Sequence, residues 1–151
     1  MTPLGAEDGR GPDAETVTPE GNKLQAQLWL LAIGIDKYEK WGHLRCAKYD
    51  AEAVVQVLRE RYVFHHLTEL YDEEATWDAI DQTLEQLARE FQKPERKDDS
   101  LLIYYAGHGK LDAVKKTGYW IPVDADRESK KSWFPNTEVK NYIAAMTQAR
   151  H

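Results

Sequence analysis

From Leu24 onward the chain alternates short apolar runs with stretches whose apolar residues recur every three or four positions. Leu28-Trp29-Leu30-Leu31-Ala32-Ile33-Gly34-Ile35 is a continuous apolar run closed by Asp36. That length, without alternation, predicts a strand buried on both faces. Ala51, Val54, Val55, Leu58 and Tyr62 then share one helical face, with Asp50 placed as its N-cap. His66 to Tyr71 alternates as a short strand does. Trp77, Ile80, Leu84, Leu87 and Phe91 form a second amphipathic helix, which Pro94 and the charged loop Glu95 to Asp99 end. Leu101-Leu102-Ile103-Tyr104-Tyr105 is a third apolar strand running straight into Ala106-Gly107-His108-Gly109. Tyr119 to Val123 has the look of an edge hairpin arm, because Pro122 cannot donate to a central ladder. Val139, Tyr142, Ile143 and Met146 mark a third helix, capped by Asn136 or Thr137.

Strand, helix, strand, helix, strand, helix predicts an α/β fold around a parallel sheet. A helix that has crossed the sheet should deliver a fourth strand, and none follows before His151. The sheet is therefore expected to be incomplete on its C-terminal side. Residues 1–23 differ in kind: they hold three of the six prolines and four of the nine glycines, with no aromatic residue. Such a segment buries too little apolar surface to offset its ordering entropy, so a flexible leader is expected there and one domain over 24–151.

Composition narrows the function classes. No run of about 18 apolar residues exists to span a membrane, and Met1 opens no basic-then-apolar secretory signal. Cys46 is the single cysteine, so no internal disulfide is possible and a reducing, cytoplasmic setting is expected. The net charge is −6 with Lys and Arg scattered, which argues against a nucleic-acid partner. No Gly-x-Gly-x-x-Gly or Walker-type loop suggests a nucleotide.

In open parallel sheets functional groups gather at the carboxyl ends of the strands. His108 sits at the end of the third strand between two glycines, which let the backbone turn and let another group approach closely. An imidazole that titrates near neutral pH, beside the bare N–H of Gly109, suits acyl transfer: a base for a nucleophile and a donor for the oxyanion. A structural histidine capping a glycine-rich turn has the same pattern.

The segment Leu101 to Gly109, Leu-Leu-Ile-Tyr-Tyr-Ala-Gly-His-Gly, closely resembles the histidine motif of the caspase, metacaspase and paracaspase family of cysteine peptidases. Leu30 to Tyr38 is similar to the family's first strand, and Leu44 to Ala51 to its Leu-x-x-Ala-x-x-Asp-Ala signature. Trp120 to Ala125 is similar to the hairpin after the histidine. The resemblance implies a caspase-like three-layer α/β/α sandwich around a mainly parallel sheet. It implies that His108 is the catalytic base and that Gly109 lends its amide to the oxyanion hole. Asp50 matches the acid that selects Arg or Lys before the scissile bond in metacaspases and paracaspases. A carboxylate at a pocket floor pairs with a guanidinium and rejects an acidic side chain. A plain helix cap is the other reading of Asp50, and one residue could serve both roles.

The family's nucleophile is a cysteine at the end of the next strand, which this chain does not contain. Cys46 lies on the loop before the first helix, where a packing role is the simpler reading. The chain alone is expected to be inactive. Its expected partners are a protein or peptide substrate and a Cys-bearing C-terminal segment or small-subunit-like chain, with no membrane or nucleic acid. A truncated fragment or a non-catalytic interaction module (a pseudoprotease) are the alternatives. No cofactor and no metal are expected: where many metacaspases carry a calcium-binding acidic cluster, this chain has Asp112-Ala113-Val114-Lys115-Lys116-Thr117. Asp124 and Asp126 read as turn residues, His65-His66 lacks a partner ligand, and Trp133 is a candidate lining of a substrate groove.

Overall fold

A computed structural model describes residues 26–149. The leader assigned to 1–23 lies outside the described residues. Three parallel strands form the main sheet: β1 (Leu28–Gly34), β2 (Phe64–Tyr71) and β3 (Ser100–Ala106), in the order β2-β1-β3. Between them run α1 (Ala47–Arg61) and α2 (Trp77–Glu90). A second, antiparallel sheet follows, β4 (Gly109–Asp112), β5 (Thr117–Trp120) and β6 (Phe134–Pro135), in the order β4-β5-β6, and α3 (Asn136–Ala145) closes the chain's described part.

β1 is central, and its continuous apolar sequence reflects burial on both faces. Leu30 and Ala32 pack with Val55 of α1, while Trp29, Leu31 and Ile33 face Ile80, Leu84 and Leu87 of α2 and Val139 of α3. Burying Leu30, Leu31 and Ile33 contributes roughly 1.5–3 kcal/mol each. The arrangement is the expected α/β/α sandwich. Gly34 lets α1 close onto the end of β1, since a β-carbon there would lie 2.8 Å from Ala51 Cβ and 2.9 Å from Lys48 Cα.

Three local expectations change. Asp50 does not cap α1, which starts three residues earlier, at Ala47. The cap comes from Asp36 at the end of β1, whose carboxylate accepts the N–H groups of Ala47 (2.8 Å) and Lys48 (3.3 Å). A carboxylate arriving from another element satisfies the orphan donors of the first turn as well as a sequence-adjacent one. Secondly, β5 is the middle strand of its sheet, not an edge: it ends at Trp120, so Pro122 falls beyond the ladder and breaks no bond in it. Thirdly, Pro135 occupies the N-cap position of α3, and neither Asn136 nor Thr137 makes a capping bond.

Candidate active site

β3 ends at Ala106 and β4 begins at Gly109, so Gly107-His108 is the corner where the chain leaves one sheet and enters the other. The loop after β1 wraps this corner. Its course is held by Ile35 N–H on the Ala106 carbonyl (3.0 Å), Glu39 N–H on the Val123 carbonyl (3.1 Å) and Leu44 N–H on the Asp36 carbonyl (2.9 Å). Asp72, buried just after β2, accepts the N–H groups of Asp36 (2.9 Å) and Lys37 (3.0 Å), with Lys48 Nζ at 3.6 Å. Burial disfavours its charge, but those two N–H donors and the lysine outweigh it and hold the carboxyl below its ordinary value. Asp72 adopts a left-handed backbone (φ 45°), which Asp tolerates better than most residues.

The imidazole of His108 is half-buried between Tyr38 (ring centroids 4.7 Å apart) and Trp41 (5.7 Å). Its Nε2 lies 2.7 Å from the carbonyl oxygen of Gly42. A carbonyl only accepts, so Nε2 carries the proton and the neutral ring keeps its lone pair on Nδ1. Among the described residues Nδ1 makes no hydrogen bond. The main chain of His108 is fixed as well: its N–H donates to Tyr38 Oη (2.7 Å), and its carbonyl accepts from Tyr105 Oη (2.8 Å) and Ile121 N–H (3.1 Å). Burial, reinforced by the neighbouring Tyr38, pushes the Tyr105 phenol far above its ordinary value, so it remains a neutral donor.

Gly109 follows directly. Because Ile121 N–H bonds the His108 carbonyl, 108 and 121 form the hydrogen-bonded pair, and Gly109 opposite Trp120 is the next, non-bonded pair. The N–H of Gly109 therefore points away from β5. This places a bare backbone donor one residue from a bare imidazole nitrogen.

The other expected residues are more dispersed. Asp50 lies in the first turn of α1, solvent-exposed and without a side-chain hydrogen bond among the described residues. Cys46 is exposed just before α1 and makes no hydrogen bond with His108. Trp133 is largely buried and lines a surface pocket of about 410 Å³ together with Trp77, Lys115 and Glu138; its Nε1 bonds the Asp126 carbonyl (2.7 Å), and it packs edge-on against Trp41 and Tyr119, bracing the wall beside His108. Asp124 accepts from Trp77 N–H at the start of α2, 47 residues away, a tertiary bond and not the local turn bond expected, whereas Asp126 accepts from Glu128 N–H as a turn residue does. His66 stacks on Trp29 (3.6 Å) and bonds Gln27. Among the described residues no group of three His, Cys, Asp or Glu side chains could hold a metal.

Sequence reasoning missed Asp36, Asp72, Tyr38 and Gly42, all of which serve the His108 corner. Asp36 carried a readable signal, a carboxylate closing an apolar strand in the segment before the helix pattern that begins at Ala51.

Residues 27–147 match the family model of the caspase domain, peptidase C14. The chain belongs to the caspase-domain family. No curated protein matches it. Membership implies a cysteine hydrolase by family, the family acts on protein substrates, and the described helices include none long and apolar enough to cross a membrane.

Proposed function

We propose that this caspase domain is the His-bearing portion of a cysteine endopeptidase, cutting after Arg or Lys once a Cys-bearing segment completes it. The observation that carries the reading is the lock of His108 Nε2 on the Gly42 carbonyl, which leaves Nδ1 free to take a proton. In the completed site the thiol gives its proton to Nδ1, and the thiolate attacks the scissile carbonyl. The Gly109 N–H stabilises the oxyanion as the tetrahedral intermediate forms. The imidazolium then returns the proton to the departing amine, leaving an acyl-enzyme that water hydrolyses. Asp50 supplies the carboxylate that pairs with a basic side chain before the scissile bond. The outer edge of β3, unpaired among the described residues, is where the Cys-bearing strand adds to the sheet. A thiolate enzyme with a further exposed thiol at Cys46 suits a reducing, cytoplasmic setting.

The test is to supply the downstream segment, on the same chain or in trans, and assay fluorogenic peptides with Arg or Lys at P1. Turnover is expected to fall about 10²–10⁴-fold in His108→Ala. Activity that survives that substitution overturns the assignment of the base. A completed chain that binds protein but cuts none favours the interaction-module reading.

A further inference from the structure

The corner at His108 contains an irregularity that neither sheet requires. A hydrogen-bonded antiparallel pair exchanges two backbone bonds. Between His108 and Ile121 only one is made, from Ile121 N–H to the His108 carbonyl (3.1 Å). In place of the second, the Tyr105 hydroxyl stands inside the ladder. It accepts from Ile121 N–H (3.1 Å) and directs its single proton at the His108 carbonyl (2.8 Å), with the Ile121 carbonyl at 3.2 Å. The released N–H of His108 turns to Tyr38 Oη at 2.7 Å. Tyr38 is 1% exposed, so this bond has no competing water. Both hydroxyls fill the space a side chain at Gly107 would need.

We infer that Tyr38 and Tyr105 are positioning residues, a pair of phenol hydroxyls that clamps the two ends of the His108 main chain and so sets the imidazole on the Gly42 carbonyl. Tyr38 belongs to the same loop as Gly42, and its bond ties the backbone of His108 to the segment that carries the ring's acceptor. Tyr105 stacks flat on Trp120 (4.6 Å, 4°), which fixes its own hydroxyl. Phenylalanine would fill the same volume at either position, so the clamp is separable from packing. The inference rests on His108 being the base, but its primary readout is the protonation pattern of the ring, not turnover.

The experiment is long-range ¹H–¹⁵N correlation of the His108 ring across a pH titration, in the full chain and in Tyr38→Phe and Tyr105→Phe. The wild type is expected to hold its neutral-form proton on Nε2. In each variant, folded by circular dichroism, the ring is expected to average between tautomers and its titration midpoint to move. In the completed enzyme kcat is expected to fall about 10- to 100-fold with KM unchanged. Variants that lose stability yet keep the wild-type tautomer and midpoint overturn the clamp, as does a wild-type ring protonated on Nδ1. Should neither variant fold, amide exchange in the wild type decides: slow exchange at His108 supports the clamp, and exchange at the rate of an open loop overturns it. Turnover surviving His108→Ala would instead strike the peptidase reading and leave the ring signature standing.

Discussion

At Gly107 an added β-carbon would meet Tyr38 Oη at 2.6 Å and Tyr105 Oη at 2.7 Å. Both hydroxyls are engaged by His108, so neither can retreat without giving up a bond. Gly107→Ala is expected to cost about 1–3 kcal/mol in urea unfolding. At Gly109 the same β-carbon would meet only the Tyr119 carbonyl at 3.7 Å, and Gly109→Ala should stay within about 0.5 kcal/mol of wild type. Equal losses at the two glycines would contradict this account of the corner. The exposed carboxylate of Asp50 makes a prediction on activity instead. Asp50→Ala should erase the preference for Arg and Lys over Asp at P1 in the completed enzyme, with little change in stability. Unchanged discrimination in side-by-side kcat/KM measurements would remove the assignment. His108 was legible in the sequence because a strand running into Gly-His-Gly advertises itself locally. The groups that orient it were not, since Tyr38 and Gly42 lie 70 and 66 residues away along the chain. No local pattern encodes a contact at that separation.

Among the elements, the strands and helices were readable wherever burial imposed a period. β1 is apolar throughout because both faces are covered, and Ile80, Leu84 and Leu87 of α2 fall on one buried face. What was misread lay at element ends. The start of α1 depends on Asp36, which caps across a loop of ten residues, so the periodic signal beginning at Ala51 gave no sign of the first turn. Asp36 and Asp72 together join the end of β1, the loop around His108 and the start of α1. The carboxyl of Asp72 is depressed in the fold, and that of Asp112 is held at about 2 by its bond to Lys130 and by the N–H groups of Lys115 and Val114. A folded value below the unfolded value of about 3.9 means stability that is present above that pH and lost as pH falls towards the folded value. Urea midpoints should therefore fall between about pH 5 and pH 2. Asp72→Asn is expected to be about 1–2 kcal/mol less stable at neutral pH, having lost its charge-assisted bonds, and to show a shallower acid decline. An acid limb with the wild-type slope in Asp72→Asn would show that Asp72 does not carry this dependence.

For the molecule as a whole, the main sheet is three strands wide among the described residues, with its most buried strand in the middle, and there β3 pairs on one side only. At the amino ends of the three strands, beneath the end of α1, Leu28, Leu58, Tyr62, Phe64, Leu101 and Leu102 line an apolar groove of about 320 Å³. Tyr62 and Leu102 are 53% and 44% exposed. An unpaired edge beside exposed apolar side chains is a template for pairing with another chain. His108 lies just past the carboxyl end of this same strand, so on the proposed reading a strand pairing along that edge is placed to reach the imidazole. On that reading edge and base are one problem: a Cys-bearing strand there would satisfy the β3 backbone and carry its thiol to Nδ1 in the same step. The chain by itself should consequently self-associate as its concentration rises, and Leu102→Lys, which places a charge on that surface, should suppress the association. Adding the Cys-bearing segment should do the same and restore turnover together. Light scattering and peptide hydrolysis measured on the same samples would test the coupling. If the segment restores cleavage while the chain still associates through β3, the open edge is not where the nucleophile enters.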